Sequence, residues 1–548
     1  MTSTAQCLGV GDLTLLYEPG LIRRVTFGGV EVLRMINAPL RDANWATLPA
    51  SIVDSSVDDD RDRLRIKERF TVADGALEGL LEFEAEASGR LTASLSLTAK
   101  DDVATNRAGF TLLHPIAGVA GADLTVRHSD SSQEVTQFPD RIAPAQPAFD
   151  IVGLSYSLRG ILVDIAFEGE IFEMEDQRNW SDASFKTYCR PLALPTPYTI
   201  AAGETVTQRI AVTLNAKAGT TGHRGDRPAA KSVSLPTIGL ACEPDWLGPL
   251  PARLTPVLRF YGPDGWTDAH LRTFASGSDV DVEIVVPDGA DAKTVLSSIK
   301  GRLDAATLHA AHVIALPEAY LKSYQPSGPW PSGLSPAGCA RAARQAFPDA
   351  RIGVGMLTHF TEFNRHPPDL SLGDYVTFGN SAIVHAADDL SVWETLETLP
   401  DIFASARALS GDLPIRLGLI SIGMRTNPYG AGLVVNPNGE RLAMTGDDPR
   451  QAETFAAAYA VAAMALAAEA GVEAITLAAP AGRFGLAGKD GPRPIAKAVR
   501  ALTALGDRIQ VERTHDSVSL SSAAGRITAH TEGAGKLEID GLEDADGR

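Results

Sequence analysis

Between Thr237 and Leu477, eight short runs of apolar, largely β-branched residues recur, and segments of helical character follow most of them. The runs are Thr237–Cys242, Pro256–Phe260, Val280–Val286, His312–Leu316, Ile352–Leu357, Tyr375–Phe378, Ile415–Ile420 and Ala474–Leu477. Strands buried on both faces read as continuous apolar stretches, and intervening helices return the chain for parallel pairing. Helical patterning covers Asp291–Asp304, Ser335–Phe347, Ser391–Leu409, Arg450–Ala470 and Arg493–Leu505. Eight βα units in roughly 270 residues fit a (β/α)8 TIM barrel in count and length. A doubly wound sheet would ordinarily carry a glycine-rich phosphate loop after its first strand, and Gly239-Leu-Ala-Cys-Glu-Pro-Asp245 is not one.

The flanking segments have a different texture. From Gly9 to about Leu214 short alternating strands dominate, as in Arg63–Phe70 and Arg90–Thr98, with turn signals such as Asp74-Gly75 between them. Strands at that density without helices predict a β-sandwich. The small, charged stretch Ala216–Lys231 reads as a linker. Beyond the barrel, Ile509–Glu512, Ser517–Leu520, Arg526–His530 and Lys536–Ile539 read as four short strands, and the tail GLEDADGR as frayed. The expected organisation is a multidomain α/β plus all-β chain: a sandwich over 1–215, a linker over 216–233, the barrel over 234–508 and a small β-rich cap over 509–548.

A formal net charge of −19, spread along the chain, argues against nucleic acid, whose phosphates require clustered Lys and Arg. No run reaches the roughly 18 apolar residues of a membrane span. The N-terminus lacks a basic region followed by an apolar one, so no secretory signal is expected. Cys7, Cys189, Cys242 and Cys339 lie far apart with no CxxC spacing, which suits a reducing compartment and a cytoplasmic protein. The sequence leaves the oligomeric state open.

A TIM barrel builds its active site at the C-terminal ends of its strands, so the strand assignment becomes a site assignment. The ends supply Glu243, Arg259, Glu318, then His359, Glu362, Asn364 and Arg365 from THFTEFNR, then Asn380 and His385, then Arg425 and Asn427. Arg483 follows the eighth strand, His366 precedes Pro-Pro as a loop residue, and Asp388 and Asp389 sit where they would cap a helix. Glu318, Glu362 and His385 are the candidate acid/base groups, with Glu318 and Glu362 expected to face one pocket. The arginines and asparagines suit a carboxylate or an oxyanion. His359 and Glu362 are three apart, yet no third ligand stands at a recognisable spacing, so no metal or other cofactor is expected.

One stretch of the N-terminal region departs from plain sandwich patterning. Phe172–Pro191 interleaves Trp180, Phe185 and Tyr188 with charges of both signs. Such a segment suits a sugar-like ligand or an interdomain cleft. Arg178, Asn179, Trp180, Asp182 and Lys186 are therefore expected to cover the barrel mouth and complete the substrate pocket.

The segment FEMEDQRNWSDASFKTYCRPL, with FTEFNR, VHAADDLSVWETLE and the RTNP turn, resembles the D-apionate lactonase family over essentially the whole chain. The resemblance implies a sandwich, a TIM barrel and a C-terminal β domain in that order. It also implies hydrolysis of D-apionolactone, or a closely related aldonolactone, to the aldonate in apiose catabolism. The partner is then a small sugar-derived molecule, and water attacks the lactone carbonyl with help from a carboxylate or histidine. Two other readings stand beside it. A TIM-barrel glycoside hydrolase would use paired carboxylates, although ISIGMRTNP offers no acid at the seventh strand. A non-catalytic carbohydrate-binding scaffold is the third.

Overall fold

The computed structural model describes residues 5–216, 231–251 and 253–542. Most of the expected linker, residues 217–230, and the end of the tail, residues 543–548, lie outside the described residues. The chain divides into two compact units. One takes in Met1–Gln177 and Ser184–Gly225, and the other Arg178–Ala183 and Asp226–Arg548. The hexapeptide Arg178–Ala183 falls within the expected sandwich bounds of 1–215, and its residues Arg178, Asn179, Trp180 and Asp182 were expected to cover the barrel mouth. Its packing assigns it to the second unit, although the strands on either side of it belong to the first.

The first unit is a β-sandwich of an eight-stranded and a nine-stranded sheet. Period-two alternation produces its core: Arg90–Ala99 buries Leu91, Ala93, Leu95 and Leu97 on one face. Arg63–Val72 does the same with Leu64, Ile66 and Phe70, and adds the buried Glu68. That carboxylate accepts from the Tyr17 hydroxyl at 2.7 Å and the Gly20 amide at 2.8 Å, which offsets its desolvation.

The second unit contains a closed barrel of eight parallel strands. They are β1 (Thr237–Cys242), β2 (Thr255–Tyr261), β3 (Asp279–Val286), β4 (His309–Pro317), β5 (Arg351–His359), β6 (Tyr375–Ser381), β7 (Arg416–Ser421) and β8 (Ala474–Ala478). β8 closes on β1 with Ile475 opposite Ile238. Besides the four-residue helix Asp268–Leu271, the α-helices among the described residues of this unit are α1 (Ala292–Ala305), α2 (Pro336–Ala346), α3 (Phe360–Arg365), α4 (Asp389–Ser410), α5 (Thr454–Glu469) and α6 (Pro494–Ala504). Their starts follow from capping chemistry: Asp291, Ser335 and Asp388 accept backbone N–H groups of the first turns of α1, α2 and α4. Asp389 pairs with Arg450 at 2.9 Å, so Asp388 and Asp389 both serve the fold.

Helix α5 is apolar all round and buried from Phe455 to Ala468. It packs against α4 and α6 and against the C-terminal sheet, which removes every face from water. That sheet has five strands where four were expected. The extra strand, Lys231–Ser234, comes from the end of the expected linker and pairs antiparallel with Arg508–Arg513. Four mostly polar residues carry too little alternation to announce a strand; pairing with Ile509 and Val511 supplies what their own sequence lacks.

At the N-terminal ends of the barrel strands, charges are matched within a network. Arg416 binds Asp281 at 2.7 Å and Glu473 at 2.6 Å, Arg351 binds Glu473 at 2.7 Å, and His312 binds Asp281 at 2.7 Å. Groups satisfied in this way at the bottom of a barrel serve stability. Among the described residues, no helix is long and apolar enough to cross a membrane.

Candidate active site

At the opposite, C-terminal ends of the strands the charges are only partly matched. Glu283 projects from β3 and accepts from Arg259 Nε on β2 at 2.7 Å. It also accepts from Nη1 of Arg425, just past β7, at 2.9 Å. Arg425 Nε donates to Glu243, at the end of β1, at 2.8 Å. Burial pushes the Glu283 carboxyl up, but Arg259 and Arg425 outweigh it and hold the group below the usual carboxylate range. Arg259 Nη2 donates to the Leu357 carbonyl at 3.2 Å.

Among the described residues, the buried donors in this region that find no acceptor include Arg259 Nη1, Arg425 Nη2 and Asn380 Nδ2. Their residues line one narrow cavity together with Thr358 and His359. Gly379 lines it too; a Cβ there would stand 2.9 Å from the Thr358 carbonyl, so glycine lets β5 and β6 approach. Buried donors ordinarily have partners, and a cluster without them is complementary to something with acceptor oxygens.

His359 ends β5, and its backbone N–H donates to Glu362 Oε2 at 3.1 Å across the first turn of α3. Burial, with Arg259 adding repulsion, lowers the imidazole to about 4, so the ring is neutral at neutral pH. A chain of hydrogen bonds fixes its tautomer. Thr361 donates its single hydroxyl proton to the Asn179 carbonyl at 2.7 Å. Its oxygen must then accept from Tyr429, whose hydroxyl lies 2.9 Å away. Tyr429, its own proton committed, accepts from His359 Nδ1 at 3.3 Å. The proton on Nδ1 leaves Nε2 as an acceptor.

Glu362 is fully buried, and its Oε1 has no hydrogen-bond partner. Burial raises its carboxyl, an effect moderated by Ser323, the His359 amide and Thr358. Asn364 Nδ2 donates to Asn179 Oδ1 at 3.1 Å. The Arg365 guanidinium lies 4.8 Å from the Trp180 ring centre, and Trp180 meets His385 edge-on at 5.6 Å. His385 Nδ1 binds Asp182 at 2.6 Å, and Ser181 donates to Asn380 Oδ1. Arg178, fully buried, pairs with Asp401 at 2.8 Å. The hexapeptide expected to complete the pocket thus lies against the ends of β5 and β6 through Asn179, Trp180, Ser181 and Asp182.

Other expected site residues are not gathered here. Glu318 is exposed, and its carboxylate accepts the Asp288 amide at 3.3 Å at the start of a short 3-10 turn. The expectation that it shares a pocket with the fully buried Glu362 has no support in this geometry, because a strand-end position does not fix the direction of the side chain. Asn427 spends its amide within its own loop, donating to Gly432 at 2.7 Å and accepting from Tyr429 at 3.0 Å. Lys186 belongs to the first unit, where it meets Glu175 at 3.2 Å. His366, expected as a loop residue and not as part of the site, packs against Trp330 and Tyr320.

Sequence reasoning missed Glu283, Tyr429 and Thr361. Glu283 had a readable signal: a lone acid inside the apolar run Val282–Val286, two residues from Asp281 on the same face. Tyr429 and Thr361 had none, since only the folded loops bring them together.

Comparison with known proteins adds the following. A family model described as the D-apionate lactonase N-terminal domain matches residues 1–217, and one described as the D-apionate lactonase TIM barrel domain matches residues 264–507. A protein named D-apionate lactonase from Brucella anthropi is 37% identical over 524 residues, covering 90% of this chain and 85% of that protein. Among solved structures, the α-galactosidase AgaA of Geobacillus stearothermophilus matches at 10% identity and a TM-score of 0.29, covering 96% of this chain and 91% of that one. A β-xylosidase from Caulobacter crescentus matches at 12% identity and a TM-score of 0.33, covering 55% and 75%. Scores that low carry no argument about function.

Proposed function

This chain belongs to the D-apionate lactonase family and is a lactone-hydrolysing enzyme, and from that premise we propose that its substrate is D-apionolactone or a closely related aldonolactone. The observation that carries the chemical reading is the set of unpartnered donors of Arg259, Arg425 and Asn380 around a cavity that also exposes His359. A lactone presents its carbonyl oxygen to the guanidinium N–H groups. Water attacks the carbonyl carbon, the π pair moves onto oxygen, and the two arginines stabilise the oxyanion. His359 Nε2 takes the water proton. As the tetrahedral intermediate collapses and the ring C–O bond breaks, the imidazolium returns that proton to the leaving ring oxygen. A histidine held at about 4 is a modest base but a strong acid once protonated, which favours the second transfer. Glu362, beside His359, offsets the positive charge that forms there. The product acid then loses its remaining proton to solvent, and the carboxylate so formed presents two oxygens to the arginines.

A glycoside hydrolase needs one carboxylic acid kept protonated opposite a second carboxylate. Glu362 has a carboxyl that burial raises, but Glu283 on β3 and Glu243 at the end of β1 are paired with arginine, and Glu283 is held in its ionised form. The lactonase reading requires no metal, so dialysis against a strong chelator should leave kcat unchanged. A proton-release assay with D-apionolactone, run beside a panel of nitrophenyl glycosides, tests it. Turnover of the lactone alone is expected, and turnover of a glycoside alone would refute it.

A further inference from the structure

Within the first unit, one face of the eight-stranded sheet carries a polar cluster that the lactonase chemistry above does not use. Strand register places Asn37, Thr111, Tyr188 and Glu173 in one cross-strand row. Lys186 and Glu175 stand opposite each other in the next row on the same face. Phe172, Met174 and Phe185, on the alternate face, are buried in the core. Arg107 lies over this cluster, with its guanidinium carbon 4.1 Å from the Tyr188 ring centre and 5.3 Å from that of Trp45.

Arg107 is 7% exposed, yet among the described residues its side chain has no hydrogen-bond acceptor and no carboxylate partner. The nearby acids are committed: Glu173 accepts from Tyr188 at 2.6 Å and from the Leu192 amide at 2.9 Å, and Glu175 is paired with Lys186. Arg41, on the strand that pairs with Arg107, adds a third cation. The Lys186 ammonium is held below its usual range by burial, against the pull of Glu175, with Arg107 and Arg41 repelling it further. Thr111 Oγ1 and Asn37 Oδ1, in the same row as Tyr188, are also buried without partners.

A buried guanidinium without an anion is costly, and aromatic contacts alone offset only part of that cost. From this juxtaposition we propose that the N-terminal sandwich holds a second binding site, for a polyhydroxy carboxylate. Arg107 and Lys186 take the carboxylate, and Thr111 and Asn37 take hydroxyl groups. Trp45, exposed at 41%, lies at the surface beside Arg107. The assignment rests on charge and orphaned groups in this unit, and it stands whether or not the barrel opens lactones.

The test is titration of the full chain with sodium D-gluconate, a polyhydroxy carboxylate with no ring to open. Affinity is read by calorimetry, and occupancy of this site by the fluorescence of Trp45, using Trp45→Phe as the blank. Wild type should bind, with a fluorescence change absent from Trp45→Phe. Arg107→Met should weaken binding at least tenfold, and so should Lys186→Met, which serves if the first variant does not fold. Arg425→Met should retain the Trp45 signal. Three results would each overturn the site: no wild-type binding, undiminished affinity in the variants, or equal displacement of gluconate by chloride.

Discussion

Thr361 gives its only hydroxyl proton to the backbone carbonyl of Asn179 at 2.7 Å, and the tautomer of the His359 imidazole follows from that bond. Because the proton is spent there, Tyr429 must donate to Thr361 and accept from His359, which leaves Nε2 of His359 unprotonated. Tyr429→Phe should therefore lower kcat about tenfold, roughly 1.4 kcal/mol of transition-state stabilisation, with KM changed less than twofold. Tyr429 acts as a positioning residue in this account. Equal loss in kcat and gain in KM would mean instead that it binds substrate.

Glu283 holds two arginines whose remaining N–H groups face the cavity. Glu283→Gln leaves two buried guanidinium groups with one full counter-charge fewer, a kind of loss that typically costs about 3–5 kcal/mol. The variant should melt several degrees lower and lose kcat/KM by about a hundredfold. A stable variant with wild-type kcat/KM would show that the arginines are held by something else.

Glu362 makes the opposite stability prediction. Its carboxyl is raised in the folded chain, so it favours folding most when protonated, and that contribution is lost as pH rises through its folded value. Glu362→Gln should thus be at least as stable as wild type at pH 7 in a thermal melt, while kcat falls tenfold or more. A drop in melting temperature with kcat retained would make it a purely structural group.

Much of this arrangement was legible in the chain. Parallel strands buried on both faces print themselves as apolar runs, so all eight barrel strands were read within a few residues of their ends. The strand-end rule also reached Arg259, His359, Glu362, Asn380 and Arg425. The rule gives position along a strand, not the direction of a side chain, which is why Glu318 was drawn in although it points to solvent. Glu283 was overlooked because an acid inside an apolar strand reads as an interruption until its two arginines are seen. The Asn179–Thr361–Tyr429–His359 chain joins three segments distant in sequence, and no local pattern encodes it.

Glu318→Gln is accordingly expected to keep kcat/KM within twofold of wild type, since its carboxylate serves one exposed amide in the β3–α1 loop. Steady-state kinetics on the lactone decide this, and a hundredfold loss would return Glu318 to the catalytic set.

Two buried histidines set the acid side of stability. His359 is held at about 4 and His114, bonded to Tyr156 and Thr187 in the sandwich core, at about 3. Both lie below the roughly 6.5 of an unfolded histidine, so the unfolded chain binds more protons below that value. Their contribution is present above about pH 6.5 and is lost as pH falls toward 4. Urea midpoints at pH 7 and pH 5 should fall with acidity, and His114→Gln should flatten the trend. An unchanged slope would show that other groups dominate acid unfolding.

In the proposed mechanism His359 moves the proton during lactone opening. Proton release from D-apionolactone by His359→Gln, compared with wild type at pH 7 and matched by thermal melts, addresses it most directly. A loss in kcat of about a hundredfold or more, roughly 2.7 kcal/mol, is expected, with the melting temperature preserved. A His359→Gln variant that opens the lactone at the wild-type rate would contradict it.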